Sequence, residues 1–434
     1  MRRIRHGGEN QKMDELRADT EPHEIVSNDT MEPLVSAAPP DEQIAVKVVL
    51  KSREEARVLR GHKWIFSNEI DKLLGEPRAG GIVEIVRQNG KFVGLGCYNP
   101  HSLIAVRLLT TQREPIDRSF FIARLRRALL LRKRLYPDNE SFRLVHGESD
   151  DLPGLIIDKY EDCFALQTLC LGIDMMKDQI CDALEELFHP RSIIERNESH
   201  LREREGLPMR SGILRGEAPG PIRIQEAGIV FEVNPSGGHK TGFYFDQREN
   251  RLYMRRFAAG SRVLDAYCHD GGFAMHSVAG GAAAVLGLDI SADSIERARN
   301  NALINGLESR CQFETIDAGP ALESLQVRQE RFDVVILDPP SFTRTRKNVP
   351  AAKKGYEEIN RKAIRVLRRG GILATASCSF HITDETFLES IKEAAFKVDR
   401  VLRLLEWRSQ APDHPTLPSM PETRYLKFGV FQVD

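Results

Sequence analysis

The sequence predicts an α/β protein whose C-terminal half is a parallel sheet covered on both faces, preceded by a small β-barrel and a small α+β unit. Three observations carry that prediction. From about Gly260 onward, strand-like and helix-like segments alternate, the rhythm of a parallel sheet with helices on both sides. Residues 45–115 hold short β segments packed closely together with glycines and turns, the pattern of a small barrel. The chain has 434 residues, too many for one hydrophobic core, so two or three domains are expected.

Composition narrows the partners. Apolar residues make up 41% and charged residues 29%, ordinary for a soluble globular protein. The formal net charge is -1, so a polyanionic partner must be held by local basic patches. Seven cysteines, at 97, 163, 170, 181, 268, 311 and 378, form no C-x-x-C pair and match no zinc or iron–sulfur ligand set. No metal is therefore expected, and a reducing cytoplasmic compartment is the simplest reading. The N-terminal "MRRIRHGG" is followed by no apolar stretch of the secretory type, and no run approaches the roughly 18 apolar residues of a membrane helix. Residues 1–44 are polar and hydrophobe-poor, which predicts a disordered extension.

In chain order, "AVKVVLK", "GGIVEIVRQNGKFVGLGCYN" and "IAVRLL" read as strands, with Asn89-Gly90 as the hairpin turn. Residues 116–140 read as a basic helix that Pro137 stops. Residues 141–235 mix the strands "GLIIDKY", "CFALQTL" and "IVFEVN" with a helix near "DMMKDQICDALEELF", a second small domain. The third domain, 236–434, takes its strands from "RVLDAY", "AVLGLDI", "CQFETID", "FDVVILD" and "GILATASCS". "RVLRLLEW" and "YLKFGVFQV", either side of a Pro-rich loop, close the sheet.

Ligands of such sheets bind beyond the C-terminal strand ends. Four of those ends carry an acid: Asp265, Asp289, Asp317 and Asp338. Gly271 and Gly272 follow the first strand, but the G-x-G-x-x-G fingerprint is absent, which disfavours a nicotinamide dehydrogenase. Carboxylates crowding the turn repel a pyrophosphate and suit a cationic nucleoside without phosphate, S-adenosylmethionine. In that reading Asp289 accepts from the ribose hydroxyls and Asp317 from the adenine amine. Taken singly, each Asp is equally a helix cap or a turn residue; the series of four favours the ligand.

"DPPSF" ends the fourth strand, where Pro339 and Pro340 fix the turn that presents Asp338. Asp338 can accept from an exocyclic base amine, and Phe342 can stack on a ring; the plain alternative is a strand stopped by Pro-Pro. Cys378 ends the fifth strand on the same rim and is either a nucleophile or a small buried hydrophobe. Cys268, beside the glycine turn, ranks below it. Basic stretches lie at Arg118–Arg134, Arg248–Arg256 and 344–355. Arg344, Arg346 and Lys347 of the last follow "DPPSF" and are candidates to grip RNA phosphates.

With these motifs the chain resembles the ribosomal RNA large subunit methyltransferase I (RlmI-like) family, cytosine-C5 methyltransferases of 23S rRNA. The resemblance spans "RGHKWIFSNEI", "GCYNPHSLIAVRLL", "GESDDLPGLIIDKY", "SIIERNESHLREREGL", "GHKTGFYFDQRENR", "DGGF", "LDPPSF", "ASCS" and "APDHPTLPSMPETRYLK". It implies a PUA-type RNA-binding domain, an EEHEE α+β domain and a Rossmann-like class I methyltransferase domain. It implies S-adenosylmethionine as cofactor, bound by Asp265, Tyr267, Gly271, Gly272, Phe273, Asp289, Asp317 and Asp338, with Gln247 and Arg248. It implies Cys378 as the catalytic nucleophile and Asp338 as its acidic partner, with Pro339, Pro340 and Phe342 beside the target base. The expected partner is 23S rRNA, free or in a large-subunit precursor, and a homodimer is open. The rivals are methylation of a guanine or adenine nitrogen, and an RNA-binding assembly factor without turnover.

Overall fold

A computed structural model of the chain describes residues 46–237, 242–343 and 345–434. The extension expected over 1–44 and the RNA-binding candidate Arg344 lie outside the described residues. The first unit comprises β1 (Lys47–Leu50), α1 (Glu55–Leu59), β2 (Trp64–Ile65), β3 (Ile70–Leu74), β4 (Ile82–Val86), β5 (Phe92–Tyr98) and β6 (Val106–Thr110). Its sheet runs β2-β6-β5-β4-β1-β3, with β2 and β3 as edges, so it is a half-barrel rather than a closed one. Val48, Ile85, Val93, Val106 and Leu108 fill its core. Asn89-Gly90 makes the expected hairpin: Gly90 takes φ +80°, and the Lys91 amide donates to the Asn89 side chain at 3.1 Å.

The basic helix is α2 (Arg118–Leu135), capped by Asp117, which accepts from the Ser119 and Phe120 amides. Most of its cations pair with acids of the same chain, while Arg126 and Arg134 are exposed. Arg124 pairs with Glu114 at 3.0 Å, Arg118 with Glu186 at 2.6 Å, Arg127 with Asp151 and Lys133 with Glu140. Arg132 is fully buried, forks onto both oxygens of Asp150 at 2.5 and 2.7 Å and donates to the Asp413 carbonyl at 2.8 Å.

The second sheet, in the order β11-β10-β9-β8-β7, is built from β7 (Phe142–His146), β8 (Leu155–Tyr160), β9 (Cys163–Thr168), β10 (Ser192–Asn197) and β11 (Arg210–Gly216). Helices α3 (Leu171–Met175) and α4 (Lys177–Phe188) make the crossover between the parallel strands β9 and β10. "IVFEVN" does not join this sheet. It forms a separate hairpin, β12 (Ile222–Glu226) with β13 (Ile229–Val233). The apolar face of that hairpin shares a core with Met275, Ile295 and Ala298 of the third unit. Asn301 and Asn305 fix it there by accepting from the Glu232 and Val230 amides at 2.8 and 2.9 Å. Alternation made 229–234 legible as a strand, but which core it covers is decided by distant side chains.

After α5 (Arg248–Met254) the third unit alternates as expected: β14 (Arg262–Ala266), α6 (Gly272–Ala279), β15 (Ala284–Asp289), α7 (Ala292–Ile304), β16 (Cys311–Thr315), α8 (Ala318–Val327), β17 (Phe332–Leu337), α9 (Val349–Val366), β18 (Leu367–Ser377), α10 (Asp384–Phe396), β19 (Leu402–Arg408) and β20 (Lys427–Val433). The sheet order is β16-β15-β14-β17-β18-β20-β19; the first five strands are parallel and β20 is antiparallel to both of its neighbours. Successive residues of β17 serve opposite cores: Val334 and Ile336 join α6 and α7, while Val335 and Leu337 join α8, α9 and α10. Among the described residues no helix is long and apolar enough to cross a membrane.

The Pro-rich loop between β19 and β20 touches all three units. The Lys63 amide donates to the Met420 sulfur at 3.3 Å, Asp413 accepts from the Arg143 amide at 3.0 Å, and the Ala411 amide donates to the Asp246 carbonyl at 2.8 Å. Arg132→Ala strips Asp150 and the Asp413 carbonyl of their partner in a dry site. It is expected to lower stability by about 3–5 kcal/mol, read as a reduced urea midpoint.

Candidate active site at the strand ends

The strand order reverses between β14 and β17, and ligands of such sheets bind beyond the C-terminal strand ends at this point. Asp265, next to last in β14, is fully buried, and its Oδ2 accepts from the Ala274 amide at 2.9 Å. Burial pushes its carboxyl up to about 8, reinforced by the charges of Asp338 and Asp289. Its Oδ1 is buried with no donor among the described residues. Tyr267 (φ +67°) and His269 (φ +48°) hold left-handed backbone in the turn that follows. Gly271, at φ +81°, opens α6, and a Cβ on Gly272 would lie 2.8 Å from the Arg251 side chain. Asp270, buried and bonded to Arg297 at 2.7 Å, is pushed by burial up to about 6.

The other strand-end acids have local partners. Asp289 accepts from the His269 amide at 3.0 Å and the Ser291 amide at 2.9 Å, which ties the first turn to the end of β15. Each of its oxygens keeps a lone pair for a hydroxyl. Asp317 is exposed, caps α8 and accepts from the Gly319 amide at 2.8 Å. Asp338 is half-buried where β17 ends, and its amide reaches the Ala266 carbonyl at 3.4 Å.

Four expected site residues make internal contacts. Phe273 is a core residue, stacked on Phe428 with centroids 5.8 Å apart. Phe342 lies against Tyr356 at 4.5 Å, so α9 already covers one ring face. Gln247 is buried and accepts from Asn250 at 2.7 Å. Arg248 is buried, bonded to Glu226 at 3.3 Å and to the Ser141 carbonyl at 2.6 Å. Apolar rings and an arginine near a glycine turn carry no local sign of which way they face.

The end of β18 is knitted to the Asp-Pro-Pro loop. Ser377 donates to the Tyr356 hydroxyl at 2.9 Å, and Ser379 shares a hydrogen bond with the same hydroxyl at 2.8 Å. Ser379 Oγ also accepts from the Phe342 amide at 3.2 Å and meets Ser341 Oγ at 3.0 Å. Both serines turn toward α9, so Cys378 between them faces the other side of the sheet, half-buried against the core that holds Leu426 and Phe428. Cys268 is buried, and burial with the nearby Asp265 pushes its thiol well up, which keeps it protonated. Tyr356 and Lys427 were not legible as parts of the site, because nothing in their local sequence marks them.

Of the basic stretches, Arg251 and Arg255 are also engaged internally, with Glu226 and His276. Arg346, Lys347 and Lys354 are exposed around the start of α9 and make no ion pair among the described residues, and Pro340 is exposed too. Pro339 is buried.

The sequence pattern of S-adenosylmethionine-dependent methyltransferases matches residues 200–425, and that of a PUA-like domain matches residues 48–111. The sheet order and the turn after β14 thus belong to an S-adenosylmethionine-dependent methyltransferase, and S-adenosylmethionine is its cofactor. Curated relatives named ribosomal RNA large subunit methyltransferase I are 40% identical over 390 residues in Tolumonas auensis (88% of this chain, 98% of the relative) and 39% identical over 386 residues in Klebsiella pneumoniae (88% and 96%). The chain belongs to the ribosomal RNA large subunit methyltransferase I family. The same fold is seen in a methyltransferase from Streptococcus mutans (21% identity, 89% of this chain and 99% of that one, TM-score 0.76) and in one complexed with SAH (21%, 89% and 99%, TM-score 0.78). The buried Asp265 Oδ1, lacking a donor, and the acids around it suit a ligand with an ammonium and a sulfonium.

In the cofactor-free protein, Asp265 keeps its proton up to about pH 8 while an unfolded chain loses it near 3.8. Stability from this group is therefore full at low pH and is lost as pH rises through that window. Asp265→Asn is expected to remove the loss: its urea midpoint should gain on wild type between pH 5 and 8. A constant difference across that range would contradict the burial effect.

Proposed function

We propose that the protein methylates carbon 5 of a cytosine in 23S ribosomal RNA, with Cys378 as covalent nucleophile. One observation carries this reading: of the seven cysteines, Cys378 alone is half-buried at the C-terminal strand ends. Five others are buried, and Cys311 opens β16 at the opposite end of the sheet, its thiol pushed by burial up to about 12.

Carbon 5 of cytosine is a weak nucleophile. Addition of the Cys378 thiolate to carbon 6 forms a C–S bond and moves the ring electrons toward carbon 5, which makes it enamine-like. S-adenosylmethionine, when bound, supplies an electrophilic methyl group. Carbon 5 then loses its proton, the C–S bond breaks, and the ring and the free thiol are restored. Asp338 is assigned to hold the exocyclic amine and, through a water, to take the carbon-5 proton. Asp265, Tyr267, Gly271, Gly272, Asp289 and Asp317 are assigned to the cofactor. The base must leave its stack to reach the thiol, so a flipped nucleotide is expected.

Arg346, Lys347 and Lys354, exposed and without an ion pair among the described residues, are assigned to the phosphates around that nucleotide. The PUA-like domain contacts the loop leading into β20 through the Lys63 amide and the Met420 sulfur, and it is assigned as a second support for the RNA.

Cys378→Ala should abolish methyl transfer while cofactor affinity, measured by calorimetry, stays within about twofold. A covalent adduct with RNA carrying 5-fluorocytosine should form in wild type alone. A methylated guanine or adenine in the digested product, or full activity of the Ala variant, would sink the cytosine chemistry. Replacing Arg346 and Lys347 together by Ala should weaken RNA binding and flatten its log–log salt dependence by between about one and two units.

A further inference from the structure

The β18–β20 ladder ends at the pair Ser377 and Lys427. Two residues further, Ser379 and Tyr425 would face each other had the strands stayed together. The strands splay instead, and the Lys427 ammonium fills the gap, donating to the Ser379 carbonyl at 2.8 Å and the Tyr425 carbonyl at 2.8 Å. Cys378 lies on the short stretch between the last ladder pair and the first clamped carbonyl. The Lys427 side chain is buried, with 5% of the residue exposed.

We propose that Lys427 is the positioning cation for Cys378: it fixes the main chain on both sides of the splay and keeps a positive charge beside the thiol. The inference rests on the reading of Cys378 as the nucleophile. A thiolate adds to a pyrimidine and a thiol does not, so a cation at this place raises the reactive fraction at neutral pH.

The charged and titratable groups around the pair come from several elements. Tyr425 precedes β20, and its hydroxyl donates to Asp246 at 2.6 Å. Tyr356 comes from α9, and Asp384 opens α10 and is paired with Arg424. Asp338 ends β17, the strand beside β18. Burial pushes the Lys427 ammonium down to about 8, against the pull of Asp384 and Cys378, so it stays mostly protonated at pH 7.

The test is the pH dependence of Cys378 alkylation by iodoacetamide in the full-length protein, followed on the Cys378 peptide by mass spectrometry. Lys427→Met should move the inflection up by about one unit and slow the reaction at pH 7 about tenfold, with the high-pH plateau kept. Lys427→Arg, which retains the charge, should leave the inflection in place. A purely structural role would change the plateau through exposure of the thiol and leave the inflection alone, which would overturn the proposal. So would equal shifts in the Met and Arg variants. If Lys427→Met fails to fold, Lys427→Gln, which keeps a donor for the carbonyls, carries the same comparison. The measurement uses no RNA, so it is separate from the cytosine reading, whose own failure would show as methylation by Cys378→Ala.

Discussion

The site hangs on the reversal of strand order between β14 and β17. Helices α6 and α7 return on one face of the sheet, and the chain then crosses to the other face through α8. No loop bridges the C-terminal ends of the two central strands, so the crevice there follows from connectivity rather than from side-chain choice. Asp265 and Asp338 project from these two strands, which places a buried acid and a half-buried acid on facing lips. The cost of dehydrating Asp265 is limited because burial pushes its carboxyl up, so that it keeps its proton.

A second constraint is the alternation of side chains at the end of β18. Ser377 and Ser379 spend their hydroxyls on Tyr356 and the Asp-Pro-Pro loop, which locks the loop to the strand and turns Cys378 to the opposite side. A shift by one residue would bury the thiol among α9 side chains and expose a serine in its place. The antiparallel β20 matters for the same reason. Its entry to the sheet brings Tyr425 and Lys427 to the strand end, and its preceding loop binds the PUA-like domain and the second sheet to that edge. Positioning of the thiol and docking of the N-terminal units are thereby one structural problem.

The near-zero net charge acquires a simple meaning. Most arginines of α2 and of residues 248–255 neutralise acids of the protein's own interior and surface, and they offer little field outside it. Exposed cations without an ion pair among the described residues include Arg126 and Arg134 of α2 and Arg346, Lys347 and Lys354 around the start of α9.

The strand–helix alternation, the Asn89-Gly90 hairpin, the acids at strand ends and the rim position of Cys378 were written in the sequence, because periodicity and turn chemistry act over a few residues. Only the tertiary structure decided that Phe273 stacks on Phe428 and Phe342 lies against Tyr356, that Gln247 and Arg248 hold buried polar contacts, and that β12 and β13 cover the third unit's core. It alone brought Lys427 to the end of β18, 48 positions from its carbonyl partner. Each of these depends on a contact made across a long stretch of chain, and such contacts leave no periodic trace in the residues that make them.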